Sequence, residues 1–216
     1  MLARLLLALT VAVTAAAPAP AATTTELSPG DRALIGRIQD YLEGLDTLRA
    51  RFSQRSSDGT RARGELWLDR PGKLHFAYDP PPDLVMVANG SWLLYYDREA
   101  EQTSYIPLSE TPLYPLLKEN IHLLGSETFA VADASRGRGG VSLTLVRGTG
   151  DAGSPGSLTL MFRDDPLRLR QWRLIDQQGT VTQVRLTEVE RGVTPPEGHF
   201  VFNELDLPER DPGPPK

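Results

Sequence analysis

Apolar residues recur at two different periods along this chain. Between residues 31 and 48 the spacing is three and four: Leu34, Ile38, Tyr41, Leu42, Leu45 and Leu48 form one stripe, as on an amphipathic helix. The helix has a clear start. Ser28-Pro29-Gly30-Asp31 supplies a serine cap, a proline in the first turn and an acid three residues after the cap. Its stripe predicts an end near Asp46, with Gly36 and Gly44 as weak points that packing must offset.

Beyond the helix the period becomes two and stays there, which predicts strands. The candidates are residues 49–56, 60–69, 73–78, 83–88, 91–97 and 102–107, then 128–134, 141–147, 157–163, 167–176 and 180–189, with a short final strand at 199–202. Good turn chemistry separates them: Ser57-Asp58-Gly59, Arg70-Pro71-Gly72, the Pro80-Pro81-Pro82 run, Asn89-Gly90, Arg136 to Gly140, the loop 148–156, Asp164-Asp165-Pro166 and Gln177-Gln178-Gly179. One interruption, Thr111 to Lys118, reads as a short apolar helix, with a further turn at 120–124. The fold expected is mainly β (α+β). About eleven strands joined by short turns form an antiparallel meander, which curls into an open or incomplete barrel. The N-terminal helix and the short helix near 112–118 are the elements available to cover its open side.

The first residues are not part of that fold. A basic start ending at Arg4, an apolar run from Leu5 to Ala17 and small residues around Pro18-Ala19-Pro20-Ala21-Ala22 form a secretory leader over residues 1–22, too short to span a membrane. The domain then covers 23–205, and 206–216 is a flexible, proline-rich tail. Cysteine is absent, which excludes disulfides, thiolate metal sites, a cysteine nucleophile and lipidation at a leader cysteine. An exported domain without disulfides fits the bacterial periplasm. The chain is mildly acidic, with 28 acidic against 23 basic residues, and loss of the leader removes only Arg4. With no long basic run, nucleic acid is not an expected partner.

Chemistry is hard to find in this sequence. Residues 148–153 match G-x-G-x-x-G, but a strand rather than a phosphate-facing helix follows, so the reading is a hairpin loop. His75, His122 and His199 have no metal-ligand spacing. There is no G-x-S-x-G elbow, and Asp69, Asp79 and Asp97 sit near strand ends, where solvated acids are common. The chain is read as no enzyme, with no cofactor. What remains is apolar surface. Leu66, Leu68, Leu74, Phe76, Tyr78, Leu84, Met86, Trp92, Leu94 and Tyr96 are assigned to one concave face. Leu34, Ile38, Leu42 and Leu45 of the helix, with Leu113, Leu116 and Leu117, cover it. Periodicity does not distinguish a filled barrel from a hollow one.

A series of motifs runs along the chain: Leu48-x-Ala50-x-Phe52-x-Gln54, the run Gly64-Glu65-Leu66-Trp67-Leu68-Asp69-Arg70-Pro71-Gly72, Tyr78-Asp79-x-Pro81 and Asn89-Gly90 ahead of Leu94-x-Tyr96-Asp97. Gln102, Thr111-Pro112-Leu113, Asp176-x-x-Gly179-x-x-Thr182 and Phe200-x-Phe202 continue it. Together they resemble the periplasmic lipoprotein carrier family, LolA. The resemblance implies an open antiparallel barrel with helices as a lid over an apolar cavity. It implies a monomeric carrier of acylated lipoproteins, loaded by an ATP-driven release complex in the inner membrane and unloaded at an outer-membrane receptor. It also implies that Arg70 latches the lid when the cavity is closed. The chain departs from the family at Leu113, where an aromatic is common, and in having Pro115. An alternative with the same half-barrel is a periplasmic regulator that senses lipids or lipoproteins.

Overall fold

The computed structural model describes residues 27–80, 84–98, 100–147 and 152–202. The leader, residues 148–151 of the glycine motif, Pro81 and Pro82, and the tail lie outside the described residues.

The N-terminal helix α1 spans Pro29–Glu43. Ser28 caps it reciprocally: the Asp31 N–H donates to the Ser28 hydroxyl at 3.1 Å, and the Ser28 N–H donates to the Asp31 carboxylate at 3.1 Å. The hydrogen bonds from Ser28 hold the Asp31 carboxyl below its ordinary range. The helix ends three residues before Asp46. Gly44 caps it, and Leu48 belongs to the next strand rather than to the helical stripe. Leu34, Ile35, Ile38 and Leu42 are buried along one side.

Eleven strands follow: β1 (Thr47–Ser56), β2 (Arg61–Asp69), β3 (Lys73–Tyr78), β4 (Leu84–Asn89), β5 (Trp92–Asp97), β6 (Gln102–Pro107), β7 (Ala130–Gly137), β8 (Gly140–Val146), β9 (Ser157–Arg163), β10 (Arg168–Ile175) and β11 (Val181–Arg191). A 3-10 turn at Leu108–Glu110 and the short helix α2 (Tyr114–Leu117) separate β6 from β7. The spatial order is β6-β5-β4-β3-β2-β1-β11-β10-β9-β8-β7, all antiparallel where paired. Two hairpin meanders are thus joined along β1 and β11, and the sheet is not closed. Its free edges are β6 and β7, which are consecutive in sequence. Their connection, residues 108–129, therefore bridges the open side.

The sheet curls strongly. Phe76 of β3 and Trp172 of β10 meet edge to face with ring centroids 6.2 Å apart. In a flat sheet four inter-strand steps would separate those strands by about 19 Å. The inner faces of both meanders converge with α1 on a single apolar core. Gly64 permits the tight packing of β2: a Cβ there would lie 2.1 Å from the Ala77 carbonyl and 2.7 Å from the Phe52 ring. A bulge between Leu169 and Gln171 interrupts the β9–β10 ladder, and the Leu169 N–H donates instead to the Tyr41 hydroxyl of α1 at 3.1 Å. No described helix is long and apolar enough to cross a membrane.

Two expectations need correcting. Residues 199–202 are not a strand. The chain turns at 197–200, with the His199 N–H donating to the Pro196 carbonyl, and then lies against the back of the sheet. There His199 packs on Trp67 at 5.0 Å and on His75 at 4.6 Å, and Phe202 meets Tyr96 at 5.6 Å. Second, Trp92, Leu94 and Tyr96 face outward. The register sets Leu93 opposite Ala88 and Tyr95 opposite Met86, so those residues of β5 share the inner face. Tyr96 is buried by the C-terminal strap instead.

The same strap buries His75, whose Nδ1 lies 3.2 Å from His199 Nε2. Burial, and secondarily the neighbouring His199, push the His75 imidazole down to about 4. Its folded value is thus below the unfolded one. The associated stability is complete above pH ~6.5 and is lost as pH falls toward 4, because the unfolded chain takes up a proton that the folded chain resists. Urea unfolding at pH 7.5 and pH 5 is expected to show a larger acid loss for the natural chain than for His75→Gln. Two glycines give opposite expectations in the same assay. Gly64→Ala should cost about 3 kcal/mol or more through overpacking. Gly36→Ala, where an added Cβ meets nothing within 4 Å, should gain about 0.5–1 kcal/mol.

Candidate functional site

The inner face is apolar wherever it meets the bridge over the open side. Leu48 of β1, Leu66 and Leu68 of β2 and Leu74 of β3 supply one wall, and Leu169, Trp172 and Leu186 of β10 and β11 the other. Leu45, Leu113, Leu116 and Leu117 form the roof. No polar side chain lines the space between them, whose volume is about 20 Å³. That is room for roughly one water molecule and for no acyl chain. The interior is roofed and nearly collapsed.

The sequence-assigned residues divide accordingly. Leu66, Leu68, Leu74, Leu113, Leu116, Leu117 and Leu45 line the cavity. Leu34, Ile38, Leu42 and Phe76 are buried in the adjoining core, with Met86 packed against it. Tyr78 is also there; its hydroxyl donates to Gln54 Oε1 at 3.2 Å, and burial pushes the phenol pKa up. Leu84 is only partly buried on β4 and does not line the cavity. Trp92, Leu94 and Tyr96 lie on the other side of the sheet. Sequence reading missed Leu48, Leu169, Trp172 and Leu186. All but Leu48 come from the second meander, whose own alternation carried the signal.

Arg70 holds the roof to the walls. It sits in the corner between β2 and β3, where the main chain is itself engaged: the Arg70 N–H donates to the Asp46 carbonyl at 2.8 Å, and the Gly72 N–H to the Leu117 carbonyl at 2.9 Å. From this corner the guanidinium reaches two helix ends. Its Nη1 donates to the Leu42 carbonyl in the last turn of α1. Its Nε donates to the Lys118 carbonyl just after α2 at 3.2 Å, and Nη2 donates to the Lys118 and Glu119 carbonyls, the latter at 3.1 Å. Helix C-termini leave carbonyls without intrahelical donors and carry partial negative charge, so a cation with five N–H groups suits both. Burial lowers the guanidinium pKa, while Asp46 and Glu43 oppose that shift.

A second arginine completes the end of α1. Arg191, at the close of β11, donates from Nη2 to the Gly44 carbonyl and lies over the Tyr41 ring at 4.9 Å. One guanidinium from each meander therefore meets the same helix terminus. Elsewhere the bridge is held at single points. Gln39 Oε1 accepts from the Leu123 N–H at 3.0 Å, and Arg147 donates to the Ser109 carbonyl. The Lys118 ammonium lies 5.7 Å from the Tyr114 ring and 5.6 Å from the Phe129 ring.

Among the described residues no group of three or more histidines and carboxylates is placed to hold a metal. His75 and His199 are paired, while His122 is exposed on the bridge. Asp79 is engaged with Arg51, and Asp69 accepts from the Lys73 ammonium at 2.9 Å. These groups build ion pairs on the strands rather than a shared acid–base centre.

Residues 43–203 match the family described as Outer membrane lipoprotein carrier protein LolA. An outer-membrane lipoprotein carrier protein of Pseudomonas fluorescens Pf-5 is 31% identical over 197 residues, covering 87% of this chain and 91% of the relative. One from Chromohalobacter salexigens is 30% identical over 182 residues, covering 80% and 82%. Among solved structures, a LolA superfamily protein from Nitrosomonas europaea aligns with a TM-score of 0.43 at 9% identity, over 78% of this chain and 96% of that one. An uncharacterized conserved protein from Thermus thermophilus aligns at 0.47 and 12%, over 82% and 96%. The chain belongs to the LolA family of outer membrane lipoprotein carrier proteins.

Proposed function

We propose that this protein carries lipoproteins through the periplasm by sheltering their acyl chains under the bridge that spans its open sheet. The family supports the carrier role and its compartment. One observation carries the acyl-chain reading: a cavity lined only by apolar side chains, under a roof held by hydrogen bonds rather than by the sheet. An acyl chain of about fifteen methylenes represents on the order of 12 kcal/mol of unfavourable exposure to water. It does not cross an aqueous space unaided.

A cavity of about 20 Å³ admits such a chain only if the roof moves away. Cargo and roof then compete for the same apolar walls. The competition limits affinity, because every methylene that enters displaces leucines that were already dry. A carrier has to release what it binds, and the closed state supplies the driving force for release. The Arg70 bonds favour that closed state. Hydrogen bonds from a charged donor contribute on the order of 1–3 kcal/mol each, so the latch biases the equilibrium without outweighing a whole acyl chain. On this reading residues 1–22 are the cleaved export leader and the carrier domain begins at residue 23. Cargo is accepted from an ATP-driven release complex in the inner membrane and passed to an outer-membrane receptor.

Arg70→Leu tests this function. The variant should fold and accept lipoprotein released from spheroplasts, but its transfer of that cargo to outer membranes should fall at least about tenfold, the equivalent of ~1.4 kcal/mol. Arg70→Lys, which keeps the charge but not the fork of donors, should be intermediate. Transfer at the natural rate by Arg70→Leu would remove the latch from the mechanism.

A further inference from the structure

The back of the sheet, opposite the cavity, holds a groove of about 540 Å³ whose floor includes the buried Ala62. Its walls are Arg55, Arg61, Arg63 and Arg185, with Ser53 and Gln183 between them. The strand register explains the cluster. Arg55 of β1 lies directly opposite Arg61 of β2, and Ser53 lies between Arg63 of β2 and Arg185 of β11. All four arginines are exposed. Like charges set opposite each other on neighbouring strands destabilise a sheet, and this chain is acidic overall.

The contrast with the other end of β1 is clear. Arg49 has Glu65 at 2.6 Å, and Arg51 is paired with Asp79. None of Arg55, Arg61, Arg63 and Arg185 forms an ion pair with a carboxylate of the described residues. The one acid lining the groove is Asp79, already engaged by Arg51. Among the described residues these four guanidinium groups have no carboxylate partner, although Arg185 Nε also lies 3.5 Å from Gln171 Oε1.

We infer that this groove docks the protein on a membrane surface through the phosphates of anionic lipid headgroups. Guanidinium forks bind phosphate in bidentate fashion. The four arginines spread over three adjacent strands, about 10 Å across, so several phosphates side by side engage them at once. The groove has no aromatic or aliphatic pocket to anchor the side chains of a protein partner, which the centre of a protein interface normally requires. The rigid sheet presents the charges in a fixed array. Six to eight residues of β2 lie between Arg61 or Arg63 and Arg70, about 25–30 Å along the strand. A protein seated by this face keeps its roof free to open. The inference stands whether or not the cavity carries acyl chains.

Vesicle flotation tests it, with protein recovered from the periplasmic fraction. The natural chain should float with vesicles containing phosphatidylglycerol and not with pure phosphatidylcholine, and high salt should abolish the association. Each basic residue near an anionic surface contributes about fivefold. Replacing all four (Arg55→Gln, Arg61→Gln, Arg63→Gln, Arg185→Gln) should therefore weaken binding on the order of several hundredfold. Uptake of an apolar fluorescent probe and the thermal midpoint should not fall, since the substitutions touch no core residue and relieve repulsion. Equal binding to both vesicle types, or undiminished binding by the fourfold variant, overturns the inference. So does binding of a soluble acidic peptide, but not of vesicles, to the same arginines.

Discussion

A curled sheet that stops short of closure must cover one strip of its own apolar interior with something other than strands. Here that cover is the 108–129 bridge together with α1, and the rest of the structure is arranged around keeping it in place. The walls are dry only while the roof is down. The roof has little internal structure of its own, a 3-10 turn and a helix of four residues. Such short helices are not stable alone. Their position is fixed by what they touch: leucines below and donors from the β2–β3 corner beside them.

Two kinds of interaction therefore share the task, and they differ in reach. Contact between leucines is non-directional and indifferent to which apolar partner supplies it, so an acyl chain can substitute for the roof. The Arg70 hydrogen bonds are directional and have no counterpart in a hydrocarbon ligand. Apolar contact makes the site adaptable, whereas the Arg70 hydrogen bonds fix how the roof is seated. Arg191 adds a fixed point at the end of α1 from the opposite meander. The helix is thus clamped where the two halves of the sheet come closest.

Much of this was legible in the sequence, and the exceptions have physical causes. Eleven strands and their turns followed from alternation, because most of the strands keep one wet side. The Ser28 capping box and the Arg70 corner were legible for local reasons as well. The face of β5 was not, because Trp92-Leu93-Leu94-Tyr95-Tyr96 is apolar at every position and period two then has no phase. Leu48 fell in step with the helical stripe, and only the cap at Gly44 ends that helix before it. Residues 199–202 alternate like a strand, yet Pro195 and Pro196 precede them and the chain folds back as a strap. Trp172 and Leu186 were assigned no place in the cavity, since the union of the two meanders along β1 and β11 is a long-range event that no local window contains.

The position of the bridge between the two edge strands has a consequence for how the molecule assembles. Each meander is built from neighbouring hairpins and needs only short loop closures, whereas seating the bridge requires both halves to be present and joined. Contacts between residues near in sequence form early, and those that depend on distant partners form late. A chain whose meanders pair before the bridge seats leaves an uncapped trough of leucine and aromatic side chains facing solvent. Such a trough can meet any other greasy surface nearby, so closure protects a carrier from itself as well as serving its cargo.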